Sequence, residues 1–333
     1  MRFLVVGLGS MGKRRIRNLK ALGYSDISGV DIRADRRNEA VMRYNIKVYG
    51  SFEMALNDFK PDVAIISTSP NCHLDYAFAL VKYGMPVFIE ASVTESEKIK
   101  KLALEARRLK VLVAPSCTMK FFPGPQIVKT ILAEGRIGKV LSFNYQSGQY
   151  LPDWHPWEDI SEYYVSHKET GGCRELVPFE LTWLNDIFGK PRPVSCVKRK
   201  LSNIQADIDD IYYILVSYPG GVLGNVTIEV LSRPTQTREL RVIGSEGLLV
   251  YSADENCVRT KRVGEKDWVR KPLGSFEVEK GYINPERPYI EELTAFINAL
   301  SSGNALEFPN DLISDAYVLE TLCELELLAG SRK

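Results

Sequence analysis

A group of glycines near the start of the chain has the spacing of a phosphate-binding turn. An apolar run precedes it, and an amphipathic stretch follows it. In such a turn one glycine permits a tight bend, one lets backbone approach a pyrophosphate, and one lets a helix lie close to a sheet. The helix N-terminus adds amide groups and the positive end of its dipole. The pattern therefore predicts a dinucleotide-binding turn whose members are Gly7, Gly9, Ser10, Met11 and Gly12.

An acidic residue stands where such a turn would place the adenosine ribose of the dinucleotide. Asp31 ends the second apolar run, at the expected distance of about 20 residues beyond the turn. Its carboxylate can accept hydrogen bonds from ribose hydroxyls and would repel a 2′-phosphate, which favours NAD over NADP. Arg33, Arg36 and Arg37 follow and can instead clamp a phosphate. We place Arg33 at the cofactor and keep NADP as the less favoured cofactor.

The elements that must position these groups alternate along the first third of the chain. Short β-branched runs are separated by amphipathic stretches, which is typical of a parallel sheet with crossover helices. Strands are predicted over 3–6, 27–31, 48–49, 63–67, 87–90 and 111–114. Helices are predicted near 11–22, 35–43, 51–58, 72–83 and 95–109. The fold class is therefore α/β, with a doubly wound parallel sheet of the Rossmann type.

The pattern changes after a Phe-Phe-Pro sequence at 121–123. Helices are predicted over 124–135, 174–188, 287–301 and 310–329, and strands over 139–149, 194–202, 209–217, 222–230 and 237–243. The long strands and short connections predict an α+β domain with an open, largely antiparallel sheet. We therefore predict a dinucleotide-binding domain over 1–120 and a second domain over 121–333.

The composition excludes several classes of protein. With 333 residues, 45% of them hydrophobic and 26% charged, the chain is an ordinary globular protein with enough sequence for two domains. A net charge of +1 favours neither nucleic acid nor an anionic membrane. No apolar run has the length of a signal peptide core or a membrane span, so we expect a cytoplasmic protein. Six scattered cysteines without a C-x-x-C pair predict no disulfide framework and no metal site.

Two loops that follow predicted strands complete the cofactor site. Ligands of an open parallel sheet bind beyond the carboxyl ends of its strands. The residues that we place there are Thr68, Ser69, Pro70, Asn71, His73, Glu90 and Ala91. His73 is interpreted as a residue that orients the loop rather than one that transfers protons.

With these loops the chain resembles the Gfo/Idh/MocA oxidoreductase family, named for glucose-fructose oxidoreductase and inositol dehydrogenase. The loop at 68–73 is similar to the family's Thr-Pro-Asn-x-x-His element, and Glu90-Ala91-Ser92 takes the place of its Glu-Lys-Pro element. Three later segments, 120–123, 241–247 and 289–296, resemble the family's Arg-Phe-x-Pro entry to the second domain and its later strand-turn and helix signatures. The resemblance covers nearly the whole chain.

The resemblance implies a Rossmann domain followed by a domain whose open sheet lies over the nicotinamide and often forms the oligomer contact. We therefore expect a homo-oligomer through the C-terminal sheet. Typical members oxidise or reduce a hydroxyl or ketone of a sugar, cyclitol or nucleotide sugar. The segment 147–159 resembles a branch of sugar or nucleotide-sugar dehydrogenases.

The chain departs from the family at its catalytic positions. Typical members use the lysine of Glu-Lys-Pro, and an aspartate and a histidine on a later helix. Here Ala91 replaces the lysine, Phe179 replaces the histidine, and Glu175 lies near the aspartate position. A carboxylate desolvated beside the nicotinamide can have a pKa suited to a base. The candidates for proton transfer are Glu175, Glu180 and Lys120.

Aromatic residues are dense between the first strand of the second domain and its next helix. Apolar sugar faces pack on aromatic planes, so these residues can form a substrate wall, although core packing explains any single one equally well. Lys168 and Arg174 can meet a phosphate or carboxylate of a substrate. The predicted substrate-binding residues are Tyr150, Trp154, His155, Lys168 and Arg174.

The sequence supports one leading function and keeps two others open. The leading hypothesis is an NAD-dependent oxidoreductase that acts on a sugar-like substrate with an unusual set of proton-transfer residues. Ala91 and Phe179 also suit a dinucleotide-binding regulator or partner subunit without turnover. The third hypothesis is a hydrolase that uses NAD transiently.

Overall fold

A computed structural model describes residues 1–91 and 94–330 of the chain. The chain forms two compact units, one of Met1–Thr118 with Pro285–Tyr317 and one of Met119–Asn284 with the residues from Val318 onward. The first boundary falls within two residues of the predicted one. The prediction that everything after residue 121 belongs to the second domain is wrong for 285–317, which belong to the first unit.

The strands and helices of the described residues are numbered in chain order. The strands are β1 Phe3–Val6, β2 Ile27–Val30, β3 Lys47–Tyr49, β4 Val63–Ile66, β5 Val87–Ile89, β6 Val113–Pro115, β7 Val140–Gly148, β8 Arg192–Arg199, β9 Ile211–Tyr218, β10 Val222–Glu229, β11 Thr237–Gly244, β12 Gly247–Ser252, β13 Cys257–Arg262 and β14 Val269–Pro272. The helices are α1 Ser10–Ala21, α2 Ala34–Tyr44, α3 Phe52–Phe59, α4 His73–Lys82, α5 Ser96–Leu109, α6 Pro123–Ala133, α7 Cys173–Phe188, α8 Arg287–Ser302 and α9 Leu312–Gly330.

The sheet of the first unit has six parallel strands in the order β3-β2-β1-β4-β5-β6. Its central strands β1 and β4 are wholly buried, as expected for a parallel sheet with helices on both faces. The strand order reverses between β1 and β4. The carboxyl ends of these two strands therefore flank the crevice where open α/β sheets bind ligands. The predicted Rossmann arrangement is confirmed.

Helix α8 belongs to the first unit because its buried side chains pair with residues of that unit. The ring of Phe296 meets that of Phe88 on β5 edge to face, with centroids 5.6 Å apart. Glu292 binds the buried guanidinium of Arg15 on α1 at 2.8 Å. The periodicity of the sequence predicts a helix at this position, but it does not say which sheet the apolar face covers.

The sheet of the second unit has eight strands in the order β14-β13-β12-β11-β7-β10-β9-β8. Only β7 and β10 pair in parallel, and the other neighbours pair antiparallel. The predicted open, largely antiparallel sheet is confirmed. The sequence prediction missed β12, β13 and β14. Strand β14 is exposed throughout and β13 carries three cations, so neither shows a clear apolar alternation.

Helix α7 lies on one face of this sheet. Its buried side chains include Leu181 and Trp183, and the Trp183 ring meets the ring of Tyr145 on β7 with centroids 5.3 Å apart. The helix begins directly after the Gly171-Gly172 pair and thereby places Glu175 in its first turn. Within the part of the chain that the structure describes, no helix has the length and apolar character needed to cross a bilayer.

Candidate active site

The glycine turn has the geometry of a dinucleotide cradle. Gly7 has φ +93°, and a Cβ there would lie 2.5 Å from the carbonyl oxygen of Ser67. A Cβ on Gly12 would lie 1.8 Å from the carbonyl oxygen of Gly7, so neither position accepts a side chain. Gly9 caps α1 and has no side chain to bind the helix amides. The first turn of α1 thus offers its amides and dipole to an anion, which fits the pyrophosphate of a dinucleotide.

Asp31 lies directly after β2 and supports this turn from the side. Its Oδ2 accepts a hydrogen bond from the amide of Leu8 at 2.8 Å, and its Oδ1 accepts one from the amide of Arg33 at 2.9 Å. A carboxylate has about four acceptor positions, so Asp31 retains capacity for a ribose hydroxyl.

The three arginines after Asp31 are each held by neighbouring groups. Arg33, predicted to bind the cofactor, forms an exposed ion pair with Asp35 at 2.6 Å. Arg37 donates to the carbonyl of Asp31 at 2.7 Å, and the guanidinium of Arg36 lies 4.0 Å from the Asp31 carboxylate. None of these contacts makes the arginine clamp expected for a 2′-phosphate.

The loop after β4 lies beside the glycine turn, because Ser67 and Thr68 line the space next to Gly7. Nε2 of His73 donates a hydrogen bond to the carbonyl of Thr68 at 3.0 Å. Burial lowers the pKa of His73, so its imidazole stays neutral. His73 is therefore hydrogen-bonded to the loop that it is predicted to orient. Thr68 and Ser69 are half-buried, Pro70 is buried, and Asn71 is exposed.

Glu90 is committed to an ion pair rather than turned toward a ligand. Its two oxygens accept hydrogen bonds from Nε and Nη2 of Arg15, at 2.6 and 3.0 Å. The same guanidinium binds Glu292 and lies over the ring of Phe88, with 4.4 Å to the centroid. Glu90 therefore anchors the end of β5 to α1. Ala91 is half-buried with no proton to exchange, and Ser92 lies outside the described residues.

Glu175 is a buried carboxyl group in the first turn of α7, in the second unit. Its Oε1 accepts a hydrogen bond from the hydroxyl of Tyr164 at 2.8 Å. Its Oε2 is buried and has no hydrogen-bond partner among the described residues. Burial raises the pKa of Glu175 to about 7, and the bond from Tyr164 opposes this rise. A carboxyl group that titrates near neutral pH can accept a proton in one direction of a reaction and return it in the other.

The glycine pair before α7 brings Tyr164 to this carboxyl group. Gly172 has φ +59°, and a Cβ on Gly171 would lie 2.1 Å from the carbonyl oxygen of Val165. Only glycine permits the helix to begin so close to the turn that carries Tyr164. In the sequence, Tyr163 and Tyr164 belong to the stretch that is dense in aromatic residues. No sequence signal pairs Tyr164 with a carboxylate eleven residues further along the chain.

A stack of aromatic rings lies next to Glu175. The imidazole of His155 lies between the rings of Trp157 and Tyr163, at centroid distances of 5.2 and 4.8 Å. Burial and the charges of Glu175 and Glu158 raise the pKa of Tyr163, so its hydroxyl remains a donor.

Several buried polar atoms of the segment 154–175 have no hydrogen-bond partner among the described residues. The hydroxyl of Tyr163 and Nε1 of Trp154 are buried without a hydrogen bond from the described residues, as is Oε2 of Glu175. Buried polar groups in native proteins are nearly always hydrogen-bonded, so such atoms indicate a ligand or water site. Of the residues predicted from sequence, His155 and Glu175 both interact with Tyr163, His155 by ring stacking and Glu175 electrostatically.

Glu180, predicted as a catalytic candidate, is instead a saturated buried acceptor. Its Oε1 binds Ser147 at 2.9 Å and Arg238 at 2.8 Å, and its Oε2 binds Trp183 at 2.8 Å and the hydroxyl of Tyr145. Its side chain is fully buried. Because four donors occupy the carboxylate, it holds α7 to the sheet and has no acceptor position for a substrate proton.

Lys120, the third catalytic candidate, lies at the other end of α7. Its ammonium group is 3.5 Å from the carboxylate of Asp186. Asp186 follows Glu175 by eleven residues on this helix, a distance of about 16 Å along the axis. The structure does not bring Lys120 and Glu175 together.

The remaining substrate candidates lie in different surroundings. Arg174 binds Glu326 at 3.1 Å and the carbonyl of Glu169 at 2.7 Å. Lys168 is exposed. The hydroxyl of Tyr150 accepts a hydrogen bond from Arg233 at 3.2 Å. No group of three or more His, Cys, Asp or Glu side chains with the geometry of a metal site occurs in the described ranges.

Two family descriptions match most of the chain. Residues 1–116 match the oxidoreductase family with an NAD-binding Rossmann fold, and residues 126–250 match the Gfo/Idh/MocA C-terminal domain. The fold and the glycine cradle define a dinucleotide-dependent oxidoreductase. The chain belongs to the Gfo/Idh/MocA family, which confirms the resemblance seen in its sequence, and NAD is the cofactor of its Rossmann domain.

The individual relatives and solved structures that resemble this chain have low sequence identity to it. The chain is 25% identical over 255 residues to trans-1,2-dihydrobenzene-1,2-diol dehydrogenase of Bos taurus, covering 74% of this chain and 73% of the relative. It is 29% identical over 166 residues to inositol 2-dehydrogenase of Salmonella paratyphi B, covering 47% and 49%. The solved structure of a levoglucosan dehydrogenase in complex with NADH and L-sorbose has a similar fold, with a TM-score of 0.83 at 15% identity, covering 99% and 97%.

Proposed function

We propose that this protein transfers hydride between NAD and a hydroxyl-bearing carbon of a sugar or cyclitol, with Glu175 as the acid-base residue. The observation that carries the proposal is the unpartnered, buried Oε2 of Glu175, whose carboxyl pKa is about 7. The names of the relatives include a diol, an inositol and levoglucosan. All are hydroxyl-rich small molecules, which supports the same class of substrate here.

The residues of the second unit supply the proton chemistry. Bound NAD supplies the hydride acceptor. In the oxidation direction Oε2 of Glu175 accepts the proton of the reacting hydroxyl, and Tyr164 holds the carboxylate through Oε1. The hydroxyl of Tyr163 donates a hydrogen bond to the same substrate oxygen and stabilises its developing negative charge. In this proposal Glu175 and Tyr163 have the roles in proton transfer and charge stabilisation that the lysine and histidine have in typical family members.

Asp31 supports NAD as the preferred form of the cofactor. Its carboxylate lies beside the glycine turn and accepts a hydrogen bond from the amide of Leu8, which supports its predicted contact with the ribose. A 2′-phosphate would meet this negative charge, while Arg33 is already paired with Asp35. We therefore propose discrimination against NADP by charge repulsion.

Turnover tests the proposal directly. The purified protein is incubated with NAD and a panel of sugars and cyclitols, and the absorbance of reduced nicotinamide is followed. We expect oxidation of at least one polyol, and a loss of at least about a hundredfold in kcat for Glu175→Gln, in keeping with the contribution of a general base. Glu169→Gln is the matched control, because Glu169 is an exposed glutamate six residues before Glu175. Full activity of Glu175→Gln would overturn the proposed role.

A silent dinucleotide-binding module is the second candidate function. Ala91 and Phe179 favour it, because two positions of the usual proton-transfer set carry no titratable group. Binding of NAD without turnover of any panel compound or its keto form would favour this module. Robust turnover would eliminate it.

We also propose that the protein is a homo-oligomer through the open face of the sheet in the second unit. Strand register places five half-exposed apolar side chains on this face. They are Val197, Tyr213, Leu215, Leu223 and Ile243. Contiguous exposed apolar groups on a sheet face are typical of a protein interface.

A further inference from the structure

A cleft of about 670 Å³ lies in the second unit beside the segment that carries the aromatic stack. Its volume is typical of a small-molecule binding site. Three pieces of chain line it: the stretch from 150 to 160, the loop after β8 and the residues after β10. The side chains that determine its chemistry are Tyr150, Asp159, Leu201, Asn203, Gln205 and Arg233.

The charges of this cleft are balanced. The guanidinium of Arg233 lies 4.7 Å from the centroid of the Tyr150 ring and donates to the hydroxyl of that tyrosine. Asp159 binds the amide and hydroxyl of Ser161 through Oδ1, at 2.9 and 2.7 Å. The lining residues thus contribute one cation and one anion. A nucleoside diphosphate would bring at least two negative charges next to Asp159, so the cleft favours a neutral ligand.

The polar side chains of the cleft and the Tyr150 ring together suit the binding of a sugar. The amides of Asn203 and Gln205 offer both donors and acceptors, Arg233 offers donors, and Asp159 offers acceptors. Sugar hydroxyls need both kinds of partner, whereas the C–H face of a pyranose packs against an apolar surface. The Tyr150 ring and the exposed Leu201 side chain supply such a surface.

The cleft and Glu175 are joined by one short segment. Ile160 lines the cleft, and Tyr163 follows it by three residues, so their Cα atoms are at most about 11 Å apart. Tyr164, the next residue, binds Glu175. The segment 150–164 therefore contributes residues both to the cleft and to the surroundings of Glu175.

The geometry points to a glycosyl subsite: the substrate is a disaccharide or glycoside whose reacting ring lies at Glu175 and whose second ring occupies the cleft. This inference rests on the proposed function and specifies its substrate class. The subsite predicts that the protein selects for a second ring, and that Arg233 and Gln205 determine this selectivity.

Paired kinetics and binding test the subsite. The ratio of kcat/KM for maltose, cellobiose and trehalose to that for glucose is measured with NAD in the wild type, Arg233→Ala and Gln205→Ala. We expect at least one disaccharide to be preferred, and each variant to lower that preference by about tenfold, the usual effect of losing a charged or polar contact. Activity on glucose stays unchanged. Arg192→Ala is the control, because Arg192 is exposed and lies outside the cleft.

Calorimetric titration of the NAD-loaded protein with the same disaccharides separates this inference from the proposed function. Binding that both variants weaken, without turnover, supports the subsite and counts against the proposed reaction. Turnover of glucose with no preference for any disaccharide, or a preference that both variants retain, overturns the subsite and leaves the reaction standing. The absence of binding by any disaccharide also overturns the subsite. So does a result in which the two variants weaken the binding of a nucleotide sugar but of no disaccharide.

Discussion

Tyr164 donates a hydrogen bond to Oε1 of Glu175 at 2.8 Å, while Oε2 of the same carboxyl group is buried without a partner in the described chain. The first contact fixes the orientation of the carboxylate, and the second feature leaves one oxygen available to a substrate. Under the proposed function, this pair is the proton acceptor of a chain that has Ala91 at the family's lysine position.

The pH dependence of the reaction reports on this pair. If Glu175 is the base, polyol oxidation needs its ionised form, so we expect the oxidation rate to rise with pH through about 7 and reduction of the keto form to fall over the same range. Tyr164→Phe removes a bond that lowers the pKa of Glu175, so both inflections move to higher pH. Profiles of kcat/KM for the wild type and Tyr164→Phe check this. An unchanged inflection in Tyr164→Phe would assign the titration to another group.

Glu180 is expected to matter for stability rather than for chemistry. Glu180→Ala leaves the buried Arg238 without its counter-charge and should lower the free energy of unfolding by about 3–5 kcal/mol. A urea titration that follows the unfolding of the second unit measures this loss of free energy. Glu169→Ala is the control, because Glu169 is exposed. If a variant of normal stability loses all turnover, Glu180 is instead a catalytic residue.

Asp31 is expected to determine which dinucleotide binds. Asp31→Asn keeps an acceptor for the amide of Leu8 but removes the charge, so affinity for NADP should rise by about tenfold or more relative to NAD. Asp31→Ala also removes the support of the turn and should weaken binding of both. Fluorescence titration with NADH and NADPH gives the ratios. Equal ratios in the wild type and Asp31→Asn would exclude this role.

The open sheet face is expected to hold protomers together. A charge introduced by Leu223→Glu would be buried without a partner in such an interface, so the oligomer should dissociate. Light scattering after size exclusion measures the molar mass. Leu306→Glu is the control, since Leu306 is 91% exposed in the first unit. A monomeric wild type, or an oligomer that tolerates Leu223→Glu, contradicts the proposal.

Local patterns determined much of this structure. The glycine turn, the acid after β2 and the alternation of β-branched and amphipathic runs predicted the Rossmann sheet, because each signal depends on neighbours in the chain. The resemblance to the family also predicted, from sequence alone, that Ala91 and Phe179 replace two of its usual catalytic residues.

Long-range pairing was decided only in the tertiary structure. Glu175 and Glu180 lie five residues apart on one helix, yet Glu180 receives four donors from the sheet and the helix, and Glu175 receives one from Tyr164. Likewise α8 joins the first unit through Glu292 and Phe296. A carboxylate's pKa and role depend on burial and on partners brought from distant positions, and no spacing within the chain contains that information.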